Sequence, residues 1–150
     1  MADEAALQAG FGHFTPDSCL INRYDPGSKL SLHQDKDERD FGAPIVSVSL
    51  GLPAVFQFGG LQRSDRARRI PLAHGDVVVW GGPSRLCFHG ILPVKEGYHS
   101  LVGRSASISL CARRCKPRLL RQAGDQMVDK HPQPGGRCGV GAYSSHSPPR

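Results

Sequence analysis

His33 and Asp35 stand two residues apart in the run "KLSLHQDKDERD", and a further histidine, His89, follows 54 residues after Asp35 in "RLCFHGI". On one extended strand, residues two apart face the same way, so the first pair can reach a single ion. His89 on a later strand can supply a third donor. Two imidazoles and one carboxylate form the facial triad of a non-haem Fe(II) oxygenase, which leaves metal positions open for a cosubstrate and dioxygen. The competing reading is plain. A His-any-Asp triplet arises often by chance, and a charge run such as "HQDKDERD" is usually a solvated loop. His13, His74, His99, His131 and His146 read as surface or loop histidines, with a structural role for His74 in the turn "AHGD". Cys111 and Cys115 are four apart, but no second pair at zinc-finger spacing accompanies them.

The elements that must position these residues are short strands. "CLINRY", "IVSVSLG", "AVFQFGG", "RRIPL", "VVVW" and "RLCFHGI" alternate or run apolar between Gly, Pro and Asp turns. "IVSVSLG" alternates Val and Leu with Ser, the period of a half-buried strand. No long helical pattern interrupts them, and the chain is rich in Gly (18) and Pro (12). The expected fold is mainly β, a sandwich or jelly roll. Residues 1–110 are read as the domain. Residues 111–150 are read as a basic, Pro/Gly/Ser-rich disordered tail, with a short basic helix at its start. The charge supports that division. Residues 1–100 hold ten Lys/Arg against eleven Asp/Glu, whereas residues 101–150 hold nine against two. The net charge of +6 therefore belongs to the tail and is weak evidence for nucleic-acid binding by the domain. No apolar run approaches the ~20 residues of a membrane span. The acidic N-terminus lacks a signal core. The five cysteines suggest no disulfide framework. A reduced, cytoplasmic protein is the expectation.

Taken together, "NRYDPGSKLSLHQDKDE", "PIVSVSLGLPAVFQFGG" and "HGDVVVWGGPSRLCFHGI", with the spacing between them, resemble the bacterial DNA-repair branch of the AlkB family of Fe(II)/2-oxoglutarate dioxygenases, over about residues 11–101. The resemblance implies a double-stranded β-helix, a jelly roll with its metal at the open mouth. It implies oxidative demethylation of alkylated nucleobases such as 1-methyladenine and 3-methylcytosine, using Fe(II), 2-oxoglutarate and O2. The products are formaldehyde, succinate and the repaired base. It implies that His33, Asp35 and His89 bind iron, that Asn22 and Tyr24 hydrogen-bond 2-oxoglutarate, and that Asp37 reads the damaged base. Without the resemblance, Asp37 is a solvated loop charge. Lys36 and Arg39 are phosphate-contacting or surface residues. Trp80 and Phe88 can stack a base but suit core packing better, and Leu30 either lines the cosubstrate pocket or packs. The implied partner is alkylated DNA, single- or double-stranded, or RNA, bound by a monomer.

Two departures from the family follow. The family places roughly a further third of the protein, including the lid that grips the nucleotide, before the segment that starts near Asn22. The jelly-roll enzyme is therefore expected to be incomplete, with weak substrate binding. After His99 the family continues as Arg-any-Asn-any-Thr-any-Arg, whose arginines bind the 2-oxoglutarate carboxylates. Counting from His99, the two arginine positions fall on Ala106 and Ala112, and the asparagine and threonine positions on Ile108 and Leu110. A reading-frame slip from about Arg104 accounts for this. The codons GCG TCA ATC TCA CTC TGC GCA AGG CGC TGC are one permitted spelling of 106–115. Read from the last base of each codon, they give Val-Asn-Leu-Thr-Leu-Arg-Lys-Ala-Leu. Arg113 lies one residue late and is expected on the opposite strand face; Arg114 regains the right face one step on. A bulge would present either arginine to the cosubstrate. Loss of the arginine is expected to lower cosubstrate affinity by about tenfold to a hundredfold. The alternative function is a catalytically inactive jelly-roll remnant. A basic nucleic-acid-binding module in residues 104–150 is the weakest reading.

Overall fold

The structure, a computed structural model, describes residues 1–115 except 39, 102 and 105, together with 141–143. The chain opens with helix α1 (Ala2–Gln8), built from Ala, Glu, Leu and Gln, with Asp3 and Glu4 in its first turn. Strands β1 (Ser18–Tyr24), β2 (Leu30–His33), β3 (Ile45–Gly51), β4 (Ala54–Phe58), β5 (Arg68–Leu72) and β6 (Val77–Trp80) follow. After a 3-10 turn at Gly82–Ser84 come β7 (His89–Ile91), β8 (Tyr98–His99), β9 (Gly103–Arg104), β10 (Ser107–Arg113) and β11 (Gly141–Tyr143).

The strands form two principal antiparallel sheets, ordered β1-β10-β3-β6-β11 and β2-β7-β4-β5, and β8-β9 pair as a separate ladder. Along the chain, β1, β3, β6 and β10 enter one principal sheet and β2, β4, β5 and β7 the other. That exchange between facing sheets is the winding of a jelly roll, the double-stranded β-helix.

Each face of the five-stranded sheet has its own apolar layer. Toward the second sheet lie Tyr24, Ile45, Phe56, Phe58, Val78, Trp80 and Ile91. On the outside, Val46, Val48, Val77 and Val79 pack with Ala6 of α1 and Phe14, and Leu110 and Ala112 join them. The serines of "IVSVSLG" therefore do not face solvent. Ser47 and Ser49 are buried on the inner face, and the alternating Val residues lie under α1. A period of two identifies two faces but not which one is inside.

One further expectation changes. β10 runs through the boundary placed at residue 110, because Cys111, Ala112 and Arg113 pair with both Leu20–Ser18 of β1 and, for the first two, Ser47 and Val46 of β3. No helix starts there among the described residues; residues 116–140 lie outside them. Cys19, Cys111 and Cys115 are free thiols. No helix among the described residues is long and apolar enough to cross a membrane.

Candidate metal centre

β2 and β7 are paired so that His33 and His89 stand directly opposite one another. The pairing is close. A Cβ on Gly90 would lie 2.5 Å from the Leu30 carbonyl oxygen, so glycine is the residue that lets β7 approach β2 here. Asp35 does not share a strand with His33, contrary to the two-apart argument; β2 ends at His33. Asp35 sits in the loop that follows, and Arg85 fixes its direction. The Arg85 guanidinium donates from Nη1 to the Asp35 backbone carbonyl (3.1 Å) and from Nε to the Ala43 carbonyl (3.2 Å). The Gln34 side chain donates to the Leu86 carbonyl of the same segment.

The result is a compact donor cluster. Asp35 Oδ1 lies 3.6 Å from His33 Nε2, and its Oδ2 lies 3.4 Å from His89 Nε2. One donor atom from each of the three residues falls within 4.8 Å of the others. Two donors each ~2 Å from one ion are at most ~4 Å apart, so both histidine–aspartate separations suit a shared first-row ion. The rings are oriented for this. Nδ1 of His33 is 3.0 Å from the Ser31 carbonyl oxygen, and Nδ1 of His89 is 3.0 Å from that of Cys87. A carbonyl only accepts, so Nδ1–H donates in both rings. A neutral imidazole in that tautomer carries its lone pair on Nε2, the atom aimed at the cluster. Asp35 and His89 are buried, while the His33 side chain is 33 % exposed, which opens the cluster to solvent on one side.

Charge completes the site. Arg113 reaches it, Nη2 lying 3.1 Å from Asp35 Oδ2 and Nη1 2.8 Å from Glu38 Oε1. Glu38 Oε2 is in turn 3.2 Å from Arg85 Nη2, with both side chains almost fully buried. Burial pushes the Asp35 carboxyl up. Contacts with the His33 and His89 rings and the Arg113 charge outweigh that push and hold it well below the usual carboxylate range. The neighbouring Asp35 carboxylate favours a proton on His33 and raises its pKa against the effect of burial. Burial opposes the charge on Arg113, but Asp35 and Glu38 more than offset it, and its pKa is raised.

A cavity of about 240 Å³ adjoins the cluster. Asn22 and Tyr24 line it from β1, as do Leu30, Trp80, Cys111 and Arg113, and Asp37 stands at its rim, exposed to solvent. His33, Asp35, His89, Asn22, Tyr24, Asp37 and Arg113 are thus all at this one cavity. The expected orientation of Arg113 is overturned. In β10 the odd-numbered residues face inward, with Ser109 opposite Asn22 and Ser107 opposite Tyr24. Arg113 shares that face, and no bulge presents it. The even-numbered Ile108, Leu110 and Ala112 are apolar; Leu110 and Ala112 pack with the layer beneath α1. Burying the apolar set outside and the polar set inside moves β10 one residue relative to the count from His99. Arg114 instead lies 3.7 Å from Asp40.

Trp80 is core and cavity wall at once, 2 % exposed. Phe88 is half-buried, with the Arg63 guanidinium 5.1 Å above its ring. Leu30 both lines the cavity and packs against the core. Lys36 is exposed, and Arg39 lies outside the described residues. His74 is structural, its Nδ1 accepting from the Gly51 N–H at 3.0 Å. Two residues went unread in the sequence. Glu38 looked like part of a solvated charge run, and Arg85 is a lone cation 47 positions away, so no local pattern joins them. The two inward serines of β3 did carry a signal in their period.

A family model described as the 2OG-Fe(II) oxygenase superfamily matches residues 1–122. The alpha-ketoglutarate-dependent dioxygenase AlkB of Salmonella typhimurium is 69 % identical over 100 residues, which are 67 % of this chain and 46 % of that protein. The chain belongs to the AlkB family of 2OG-Fe(II) oxygenases. AlkB of Escherichia coli is 67 % identical over 101 residues, 67 % of this chain and 47 % of the relative. The chain therefore spans about half the length of these AlkB relatives. The solved structure of OsALKBH1 superposes with a TM-score of 0.68 at 31 % identity, over 75 % of this chain and 62 % of that one.

Proposed function

We propose that His33, Asp35 and His89 hold Fe(II), that a 2-oxo acid, 2-oxoglutarate in the family, occupies the adjoining cavity, and that the protein oxidatively removes N-alkyl groups from nucleobases. The observation that carries this reading is the orientation of the two imidazoles. Both spend Nδ1–H on a backbone carbonyl, and both direct Nε2 at one buried carboxylate. Two lone pairs and an anion in mutual contact call for a cation. A hydrophobic core gives no reason to gather them.

The cavity suits the cosubstrate's metal-side carboxylate. Arg113 Nε is a buried donor with no hydrogen-bond partner, so an incoming carboxylate oxygen satisfies it. Tyr24 stays a neutral hydrogen-bond donor, because burial pushes its phenol up to about 12. Asn22 adds an amide on the same wall. When bound, iron with the 2-oxo acid and O2 supplies the oxidising power that hydroxylates an N-methyl group, which then leaves as formaldehyde. Asp37 at the rim offers a carboxylate to the exocyclic amine that 1-methyladenine and 3-methylcytosine both carry. The substrate strand is DNA or RNA, and the acting species is a monomer.

The test is incubation of the anaerobically purified chain, with Fe(II), 2-oxoglutarate and oxygen, on an oligonucleotide carrying one 1-methyladenine. Demethylated product and formaldehyde in step with succinate are the expected outcome. Succinate without demethylation leaves the iron centre standing and removes the nucleobase assignment. Neither product identifies an inactive jelly-roll remnant.

A further inference from the structure

We propose that the buried part of this cavity selects a 2-oxo acid with an uncharged tail, so that 2-oxoglutarate, a dicarboxylate, ranks below a neutral-tailed 2-oxo acid such as 2-oxopentanoate. The inference rests on the reading of the site as an iron and 2-oxo acid centre.

The charges around the cavity are few. Among the described lining residues the only permanent cation is Arg113, faced by the carboxylates of Asp35 and, at the rim, Asp37. Arg113 is already committed. Nη1 and Nη2 engage Glu38 and Asp35 at 2.8 and 3.1 Å, leaving Nε as its buried donor without a partner. A single guanidinium that already faces two carboxylates pairs with one carboxylate of the ligand, the one beside the metal. Glu38 divides its own charge between Arg113 and Arg85, so Arg85 is also neutralised. A second carboxylate on the ligand then has no guanidinium or ammonium to meet among these residues.

The rest of the wall is apolar or self-satisfied. Leu30, Phe56, Leu72, Val78 and Ile91 contribute hydrocarbon. Ser47 and Ser109 lie 3.3 Å apart, Ser109 is 3.1 Å from Cys111 Sγ, and that thiol donates back to Ser47 at 3.3 Å. These three groups close a ring among themselves, and breaking it to solvate an anion forfeits its contacts. The Tyr24 hydroxyl and the Asn22 amide are neutral donors. Hydrogen bonds from a hydroxyl or an amide to a carboxylate bring no countercharge, and a buried carboxylate without a cation keeps much of its desolvation cost. A propyl tail carries no such cost and gains contact with the aliphatic wall.

The test uses the full chain loaded with Mn(II), which occupies the same donors without oxygen chemistry. Trp80 is the only tryptophan and lines the cavity, so its fluorescence reports ligand occupancy directly. 2-Oxoglutarate and 2-oxopentanoate are titrated separately. The expected result is half-saturation by 2-oxopentanoate at about tenfold to a hundredfold lower concentration, the factor set by one missing charge-assisted contact. Tighter binding of 2-oxoglutarate overturns the inference and leaves the iron reading intact. If Mn(II) binds and neither acid changes the Trp80 signal, the 2-oxo acid reading fails and the inference with it. Leu30→Lys supplies a second check. Leu30 begins β2 and is only partly buried, so a lysine stem there can extend along the wall. The variant is expected to shift the preference toward 2-oxoglutarate, and an unchanged ranking contradicts the proposal.

Discussion

Glu38→Gln is the sharpest single perturbation of the charge network. Glu38 bridges two guanidiniums, at 2.8 Å to Arg113 and 3.2 Å to Arg85, and its side chain is 2 % exposed. The substitution keeps the shape and one oxygen but removes the charge between two buried cations. Breaking a buried pair by removing one partner costs about 3–5 kcal/mol. The retained amide oxygen and the partly exposed Arg113 place this case at the lower end, near 3 kcal/mol. That is about two powers of ten in the folded-to-unfolded ratio, or a fall in Tm of roughly 6–12 °C for a domain of this size. The assay is urea denaturation followed by Trp80 fluorescence, with Asp25→Asn as control. Asp25 pairs with Arg23 at 3.0 Å, but both side chains are more than 60 % exposed, so that pair is screened and its loss is expected to leave the midpoint almost unchanged. In Glu38→Gln the midpoint should fall with the slope unaltered. A Glu38→Gln midpoint indistinguishable from that of Asp25→Asn refutes the claim that Glu38 ties β10 to the metal loop.

Three further outcomes follow from the structure. The Tyr24 pKa is raised by burial to about 12, so its contribution to stability is complete below its unfolded value near 10 and is lost as pH rises through 12; a spectrophotometric titration should show one late-ionising tyrosine that Tyr24→Phe removes. Gly90→Ala places a Cβ 2.5 Å from the Leu30 carbonyl oxygen; it should force β2 and β7 apart, cost about 1–3 kcal/mol in denaturant, and weaken metal binding measured by calorimetry, whereas wild-type affinity counts against a paired His33–His89 geometry. We also predict that the coding DNA for 106–115, read one base earlier, encodes Val-Asn-Leu-Thr-Leu-Arg; direct sequencing decides, and a codon spelling without that overlap removes the frame-slip explanation.

Much of the jelly roll was legible in residue order, because strand period and turn residues are local. β3 and β6 fall on the runs "IVSVSLG" and "VVVW", and the donors His33, Asp35 and His89 converge as their types implied. What was not legible depends on partners distant in the chain. The serines of β3 look solvent-facing until α1 and Phe14 cover the valine side. Asp35 reaches the cluster through a loop pinned by Arg85, not through strand alternation. Arg113 turns inward because β10 takes the register that buries its apolar set outside, a choice that counting from His99 does not contain. Glu38 and Arg85 become a pair only in three dimensions.

The central claim is that three side chains on this chain form an iron site with room for a 2-oxo acid beside it. Anaerobic addition of Fe(II), then of a 2-oxo acid, with the visible metal-to-ligand charge-transfer band as readout, tests it most directly. The account predicts a band that appears only when both are present, saturates at one iron per chain, and is absent in His89→Ala. A protein that stays folded yet shows no band at saturating iron and 2-oxo acid, or a band that survives His89→Ala unchanged, contradicts it.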